Sequence, residues 1–214
     1  MADDDGAAGD TVAEKTRTAL LEVAHGAVVT SGGTSLRQGL TVWVEALLTR
    51  ALRPELYGVY AFGWRLMRMA LRFANVGSHV TLLRDVPALD DDPERQRRAV
   101  GLAYLTTAVA GTVLAVALFV GADVINDVTV GHPAFPPSMR LFAALLVASA
   151  FLKLHASWLK GARAANGEVL LTKVFRPAVR VVTAAAALAL GYSVVGVVGS
   201  LVAGFALLMV LFWD

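Results

Sequence analysis

Between Ala99 and Gly121 the chain runs for 23 residues without a charged side chain, and a second uncharged run, Val181–Trp213, extends over 33. A bilayer core is crossed by roughly 20 mainly apolar helical residues, with a range of about 17–25. The first run therefore matches one spanning helix. The second is too long for one, and "GYS" at Gly191–Ser193 supplies the break that makes it two. Backbone groups in lipid must be paired internally, so a chain built of such runs folds as helices.

Composition agrees. Of 214 residues, 57% are hydrophobic and 17% charged, well below the quarter or so of a soluble domain. The reading is all-α and polytopic, with about six transmembrane spans at 24–50, 57–83, 99–121, 138–160, 169–190 and 194–213. Residues 1–22 form an acidic tail and an amphipathic lead-in, and 23–214 form one transmembrane lobe. "MADDDGAAGD" has no basic stretch followed by an apolar core, so it is not a secretory signal.

Charge between the spans sets the orientation. Lys15, Arg17, Arg84, Arg95, Arg97, Arg98, Lys160, Arg163 and Lys173 fall on one side, against Arg50 and Arg53 on the other. The positive-inside rule then puts both termini in the cytoplasm. "DDDPERQRR" reads as a solvated cytoplasmic connection, and "GHPAFPPS" as an external loop before the fourth span.

Several functions are excluded early. The chain has no cysteine, which removes disulfides and thiolate chemistry, and its four histidines have no metal-ligand spacing. No metal or cofactor is expected. A net charge of +2 gives no reason to expect nucleic acid.

The second span, "YAFGWRLMRMALRFANVG", carries the main anomaly: Arg65, Arg68 and Arg72 at i, i+3 and i+7, on one helical face. At about 1.5 Å per residue they lie roughly 12, 17 and 23 Å below the external end, around mid-membrane. A cation near a helix centre costs about 2.5–3.5 kcal/mol on insertion scales and is expected to face a cavity or a partner. The fifth span repeats the spacing with Lys173, Arg176 and Arg180, of which the first two lie close enough to the cytoplasmic end to snorkel. Pro177 is expected to kink this helix.

Span one adds Arg37 and Glu45, the latter at a depth suited to neutralising Arg65. One acid cannot balance four arginines. Guanidinium binds phosphate bidentately, so an anion-facing cavity is the stronger reading and purely structural ion pairing the weaker. In the fourth span, Lys153 can snorkel and His155 is expected to make a hydrogen bond rather than relay protons. Gly196, Ser200 and Gly204 form a small-residue stripe suited to internal packing.

Three stretches together resemble one family. "LLTRALRPELYGVYAFGWRL" is similar to the junction of the first two helices in polysaccharide-transporter flippases of the multidrug/oligosaccharidyl-lipid/polysaccharide exporter superfamily, with Arg50, Pro54, Glu55, Tyr57 and Gly58 matching. "ANVGSHVTLLRDVP" resembles the end of their second helix, and "WLKGARAANGEVLLTKVFRPAVR" their connection from helix four to five. Family members have about 12 to 14 helices in two lobes. The resemblance covers the first lobe alone, and implies a truncated or half-length form, or a second half-length chain or homodimer.

The resemblance implies a transporter, not an enzyme. It would carry a lipid-linked oligosaccharide or polysaccharide precursor, on polyprenyl or dolichyl phosphate or pyrophosphate, across the cytoplasmic (plasma) membrane. Arg37, Arg65, Arg68, Arg72 and Arg180 would hold the phosphate, and Glu45 would orient Arg65 or couple an ion. The alternatives are a multidrug or cation-coupled exporter of the same fold and a non-transporting scaffold or inactive remnant. The first would favour acidic residues in its site, which this chain lacks.

Overall fold

The computed structural model describes residues 31–75, 82, 88–89, 92–161, 167 and 170–211. The acidic tail, the amphipathic lead-in and much of the basic connections lie outside the described residues. Among those described there is helix and no strand, in agreement with the all-α reading.

Helix α1 covers residues 31–51 and turns at Leu52 and Arg53 into α2, Pro54–Ala74. Pro54 opens α2 where a missing N–H costs nothing, and Glu55 complements the helix dipole in the first turn. The helix therefore starts three residues before the expected Tyr57.

Helix α3, Pro93–Val120, also begins on proline. The Asp92 carboxylate accepts from the Arg95 N–H at 3.1 Å, and Arg98 donates to Glu94 at 2.6 Å one turn apart. Pro93–Arg98, expected as a loop, is thus the capped first turns of a helix: the sequence carries a cap residue followed by proline. Beyond Gly121 the path continues through Ala122–Ile125 and a π turn, Asn126–Val130. It ends at Gly131, whose φ of 62° lies in the left-handed region.

Helix α4, Phe135–Gly161, takes in Pro136 and Pro137 as its first turn, so these two prolines start the helix instead of belonging to the loop before it. A π turn, Leu170–Phe175, runs into α5, Arg176–Ala189. Pro177 stands at the start of α5, where the irregular turn before it takes up the missing donor. Gly191, at φ 75°, closes α5. Its N–H bonds to Leu188 O and that of Tyr192 to Ala187 O, both at 3.0 Å, before α6, Val194–Leu211. The expected break at Gly191–Ser193 is present.

Helix α4 is central, packing against α2, α3 and α6. Phe142, Leu145, Leu146 and Leu152 are buried along it. Gly63 of α2 lets the Phe142 ring approach so closely that a Cβ there would lie 2.6 Å from it. On the far side, α6 packs against both α4 and α5. Gly204 meets Val179 and Thr183, and the Ser200 hydroxyl donates to Thr183 O at 3.1 Å. The small-residue stripe is internal packing.

Helix α3 turns Leu102, Leu105, Val109, Val113, Val116 and Val120 outward at three- and four-residue steps, each more than half exposed. A continuous aliphatic face of that length suits lipid and not water. Pro93–Val120, Phe135–Lys160 and Val194–Leu211 are long and apolar enough to cross a membrane. Helices α1, α2 and α5, which carry Arg37, Arg65, Arg68, Arg72, Arg176 and Arg180, are not among these three.

Candidate functional site

On α2 the residues Val59, Tyr60, Gly63, Met67, Ala70 and Ala74 are buried. Arg65, Arg68 and Arg72 project from the opposite side of the helix and are exposed. That division follows from their spacing: at about 100° per residue the two sets are half a turn apart.

Helices α1, α2 and α5, with α4 behind them, line a half-open cavity of about 530 Å³. Arg37 contributes from α1, Arg68 and Arg72 from α2, and Lys153 from α4. Lys173 lines it from the π turn, and Arg176 and Arg180 from α5. No carboxylate is among the described residues lining it. Thr34, Thr41, Ser149 and Thr172 add hydroxyls, while Trp64, Leu71 and Phe205 supply apolar walls. Like charges therefore share this space, Arg176 with Arg68 and Arg37, and Lys153 with Arg176 and Arg72. Among the described residues Arg176 has a ring contact, with its guanidinium carbon 5.6 Å from the centre of Phe205, and no ion pair.

A second cavity, of about 550 Å³, lies toward the Pro54 end of α2. It contains Glu45, Tyr57, Tyr60 and Arg65, and it shares Thr41, Trp64, Arg68, Arg72 and Arg180 with the first. Arg180 forms part of the partition. It is 7% exposed and fixed on several sides. Its Nη2 donates to Glu45 Oε1 at 2.6 Å and to the Tyr60 hydroxyl oxygen at 2.8 Å, and its Nε donates to the same oxygen at 3.3 Å. The guanidinium carbon sits 4.1 Å from the centre of the Trp64 ring. The Tyr57 hydroxyl donates to the other Glu45 oxygen at 3.2 Å. Helices α1, α2 and α5 thus meet in one network, tightly held because its charges are paired and its donors have acceptors.

The structure brings Arg37, Arg68, Arg72 and Arg180 together in the basic cavity. Arg65 lines the second cavity and is not among the described residues lining the basic one. Glu45 pairs with Arg180 and not with Arg65, a correction to the depth argument: similar depth on adjacent helices did not specify which face each side chain occupies. Arg37, Arg65, Arg68, Arg72 and Arg176 make no ion pair among the described residues.

Sequence reasoning set aside Arg176, Lys173 and Lys153 as snorkelling groups. Arg176 precedes Arg180 by four residues, which places both on one face, and that spacing was the available signal. His155 is accounted for by a 3.2 Å hydrogen bond between Nδ1 and the Tyr104 hydroxyl. No group of three or more potential metal ligands occurs among the described residues. What this arrangement can do chemically is hold an anion: donors and positive charge converge, and among the described residues lining the basic cavity no carboxylate stands, Glu45 reaching Arg180 from the second cavity.

A family model described as Polysaccharide biosynthesis protein matches residues 23–213. No curated protein and no solved structure matches the chain.

Proposed function

The chain belongs to the polysaccharide biosynthesis protein family, the polysaccharide and O-antigen flippases of the multidrug/oligosaccharidyl-lipid/polysaccharide exporter superfamily, and on that premise we propose that it moves a lipid-linked glycan precursor between membrane leaflets. Members of the family are membrane transporters and not enzymes. In the proposed reading the cargo is an oligosaccharide or polysaccharide unit on a polyprenyl or dolichyl phosphate or pyrophosphate. The membrane is the plasma membrane, crossed six times with both termini cytoplasmic.

The observation that carries this reading is the basic cavity, with seven cationic side chains and no carboxylate among the described residues lining it. Arg37, Arg68, Arg72 and Arg180 bind the phosphate oxygens there, and Arg65 meets the cargo from the second cavity. Charged groups placed within a membrane protein are costly unless a partner or water meets them, and a phosphate-bearing cargo is such a partner. Only cargo-sized openings have to be created, because transport proceeds by one lobe rocking against another around a fixed site. In this reading a second lobe closes over the exposed arginine face of α2.

Reconstitution into vesicles with a fluorescent polyprenyl-diphosphate sugar tests the reading, scoring how fast the label becomes accessible in the opposite leaflet. Changing Arg68 and Arg72 together to Gln is expected to abolish the protein-dependent rate. Full transport with Arg65, Arg68 and Arg72 all changed to Gln would remove the phosphate site.

A further inference from the structure

An arginine carries five N–H donors in one plane, and in Arg180 three of them are occupied. Nε and Nη2 both donate to the Tyr60 hydroxyl oxygen, at 3.3 and 2.8 Å, and Nη2 also donates to Glu45 Oε1 at 2.6 Å. The Trp64 ring covers one face of the plane. What is left is Nη1, on the edge of the guanidinium turned away from Tyr60. It donates to no described residue, and it is not sealed inside the protein. Arg180 borders both cavities, so Nη1 is the nitrogen with which it meets a ligand. The Nε–Nη2 edge, which would otherwise take two phosphate oxygens, takes Tyr60 instead.

Tyr60 is itself held in place. It is buried, its ring stacks with Trp64 at 6.1 Å between centroids and 12° between planes, and Phe142 of α4 meets it at 5.9 Å. Gly63 is what admits the Phe142 ring. A rigid acceptor thus stands on the core side of Arg180, and the cavities lie on the other. Without that acceptor a long side chain would spread over several rotamers and would lose that freedom only when a ligand arrived, at a cost to affinity.

We propose that Tyr60 is a positioning residue of the anion site: its hydroxyl takes the Nε–Nη2 edge of Arg180, so that Nη1 is presented, already oriented, to an oxygen of the phosphate-bearing ligand. The proposal rests on the phosphate-site reading above and deepens it, by saying which arginine is fixed before the ligand arrives and by what. Tyr60 acts through Arg180 and not on the ligand. Arg37, Arg65, Arg68 and Arg72 are exposed and make no ion pair among the described residues, so the ligand has to order them. Arg180 is ordered by the fold, and the others assemble on a ligand that it already holds.

The test is sulfate binding to the purified full chain in lipid nanodiscs, with a polyprenyl diphosphate as the second ligand. Tyr60→Phe keeps the ring between Trp64 and Phe142 and removes the acceptor. Its affinity for sulfate is expected to fall about three- to tenfold, the worth of ordering one long side chain in advance. In an Arg180→Gln background the same change should alter the affinity no further, because no guanidinium remains to be held. A purely structural role for Tyr60 predicts the same loss in both backgrounds. The unsubstituted protein supplies an independent reading, which stands even where a variant does not fold. With isotopically labelled arginine, nitrogen NMR should resolve Nη1 from Nη2 in the guanidinium that contacts the Trp64 ring, and sulfate should shift Nη1 and leave Nε in place. A Tyr60→Phe protein that binds as tightly as the parent, an equal loss in both backgrounds, or a sulfate response at Nε in place of Nη1 overturns the positioning role and leaves the anion site standing. Failure of the unsubstituted protein to bind both sulfate and the polyprenyl diphosphate removes the site itself, and the positioning with it.

Discussion

Arg180 Nη2 and Glu45 Oε1, 135 positions apart in the chain, lie 2.6 Å from each other and tie α1 to α5 across the Tyr60–Trp64 face of α2. Removing one partner of a buried pair costs about 3–5 kcal/mol because the other is left uncompensated. Glu45 is 34% exposed, so water softens the loss, and about 2–3 kcal/mol is the expected range for Glu45→Gln. Replacing both partners with apolar residues, Glu45→Leu with Arg180→Met, should recover most of it. Thermal unfolding of the two single variants and the double variant in detergent gives the coupling directly. Additive losses would show that the pair contributes no coupling.

How much of this was readable from residues alone divides along physical lines. Helix content, the break at Gly191 and the one-sided arginines of α2 all follow from local rules: apolar length, turn chemistry and the helical repeat. The one-sidedness of α2 needs only the spacing of Arg65, Arg68 and Arg72. Which arginine takes Glu45 depends on how α1, α2 and α5 rotate about their axes, and side chains spread over the whole helix surface settle that. Arg176 was discounted for the same reason. Its distance from the helix end allows snorkelling, but the packing of α5 against α6 places it in the cavity beside Phe205. The stretches with Pro93, Pro136 and Pro137 were read as loop and start helices instead, because proline in a first turn lacks only a donor that has no partner anyway.

The seam between α5 and α6 sets the position of the cationic residues and depends on one glycine. A Cβ on Gly204 would lie 2.6 Å from Val179 Cγ1 and 2.7 Å from Thr183 Cγ2. Both neighbours are β-branched and cannot swing away by rotamer change at low cost. Gly204→Ala is therefore expected to cost about 1–3 kcal/mol, the usual range for overpacking, despite alanine's better helix propensity. It should also weaken sulfate binding, since α5 carries Arg176 and Arg180. Gly39→Ala on α1, where a Cβ meets nothing within 4 Å, is the control and should leave both measurements unchanged. A Gly204→Ala protein as stable as the parent would mean that α5 and α6 are less closely packed than the distances imply.

Arg176 should show opposite effects on stability and binding. It lines the basic cavity beside Arg68 and Arg37, and among the described residues it has the Phe205 ring and no carboxylate in compensation. Replacing it with Gln removes the repulsion from the empty protein, and thermal unfolding without ligand is expected at a higher temperature. The same change removes one charge-assisted hydrogen bond to a bound anion, a contribution of about 1.5–3 kcal/mol, so affinity for sulfate should fall by about tenfold or more. Arg176→Lys keeps the charge but loses the planar fork, and its affinity should fall between the two. A residue placed there only to pack would lose stability on substitution and leave binding unaltered. Greater stability together with weaker binding is the pattern of a group retained for its ligand, as sites that carry strain commonly show.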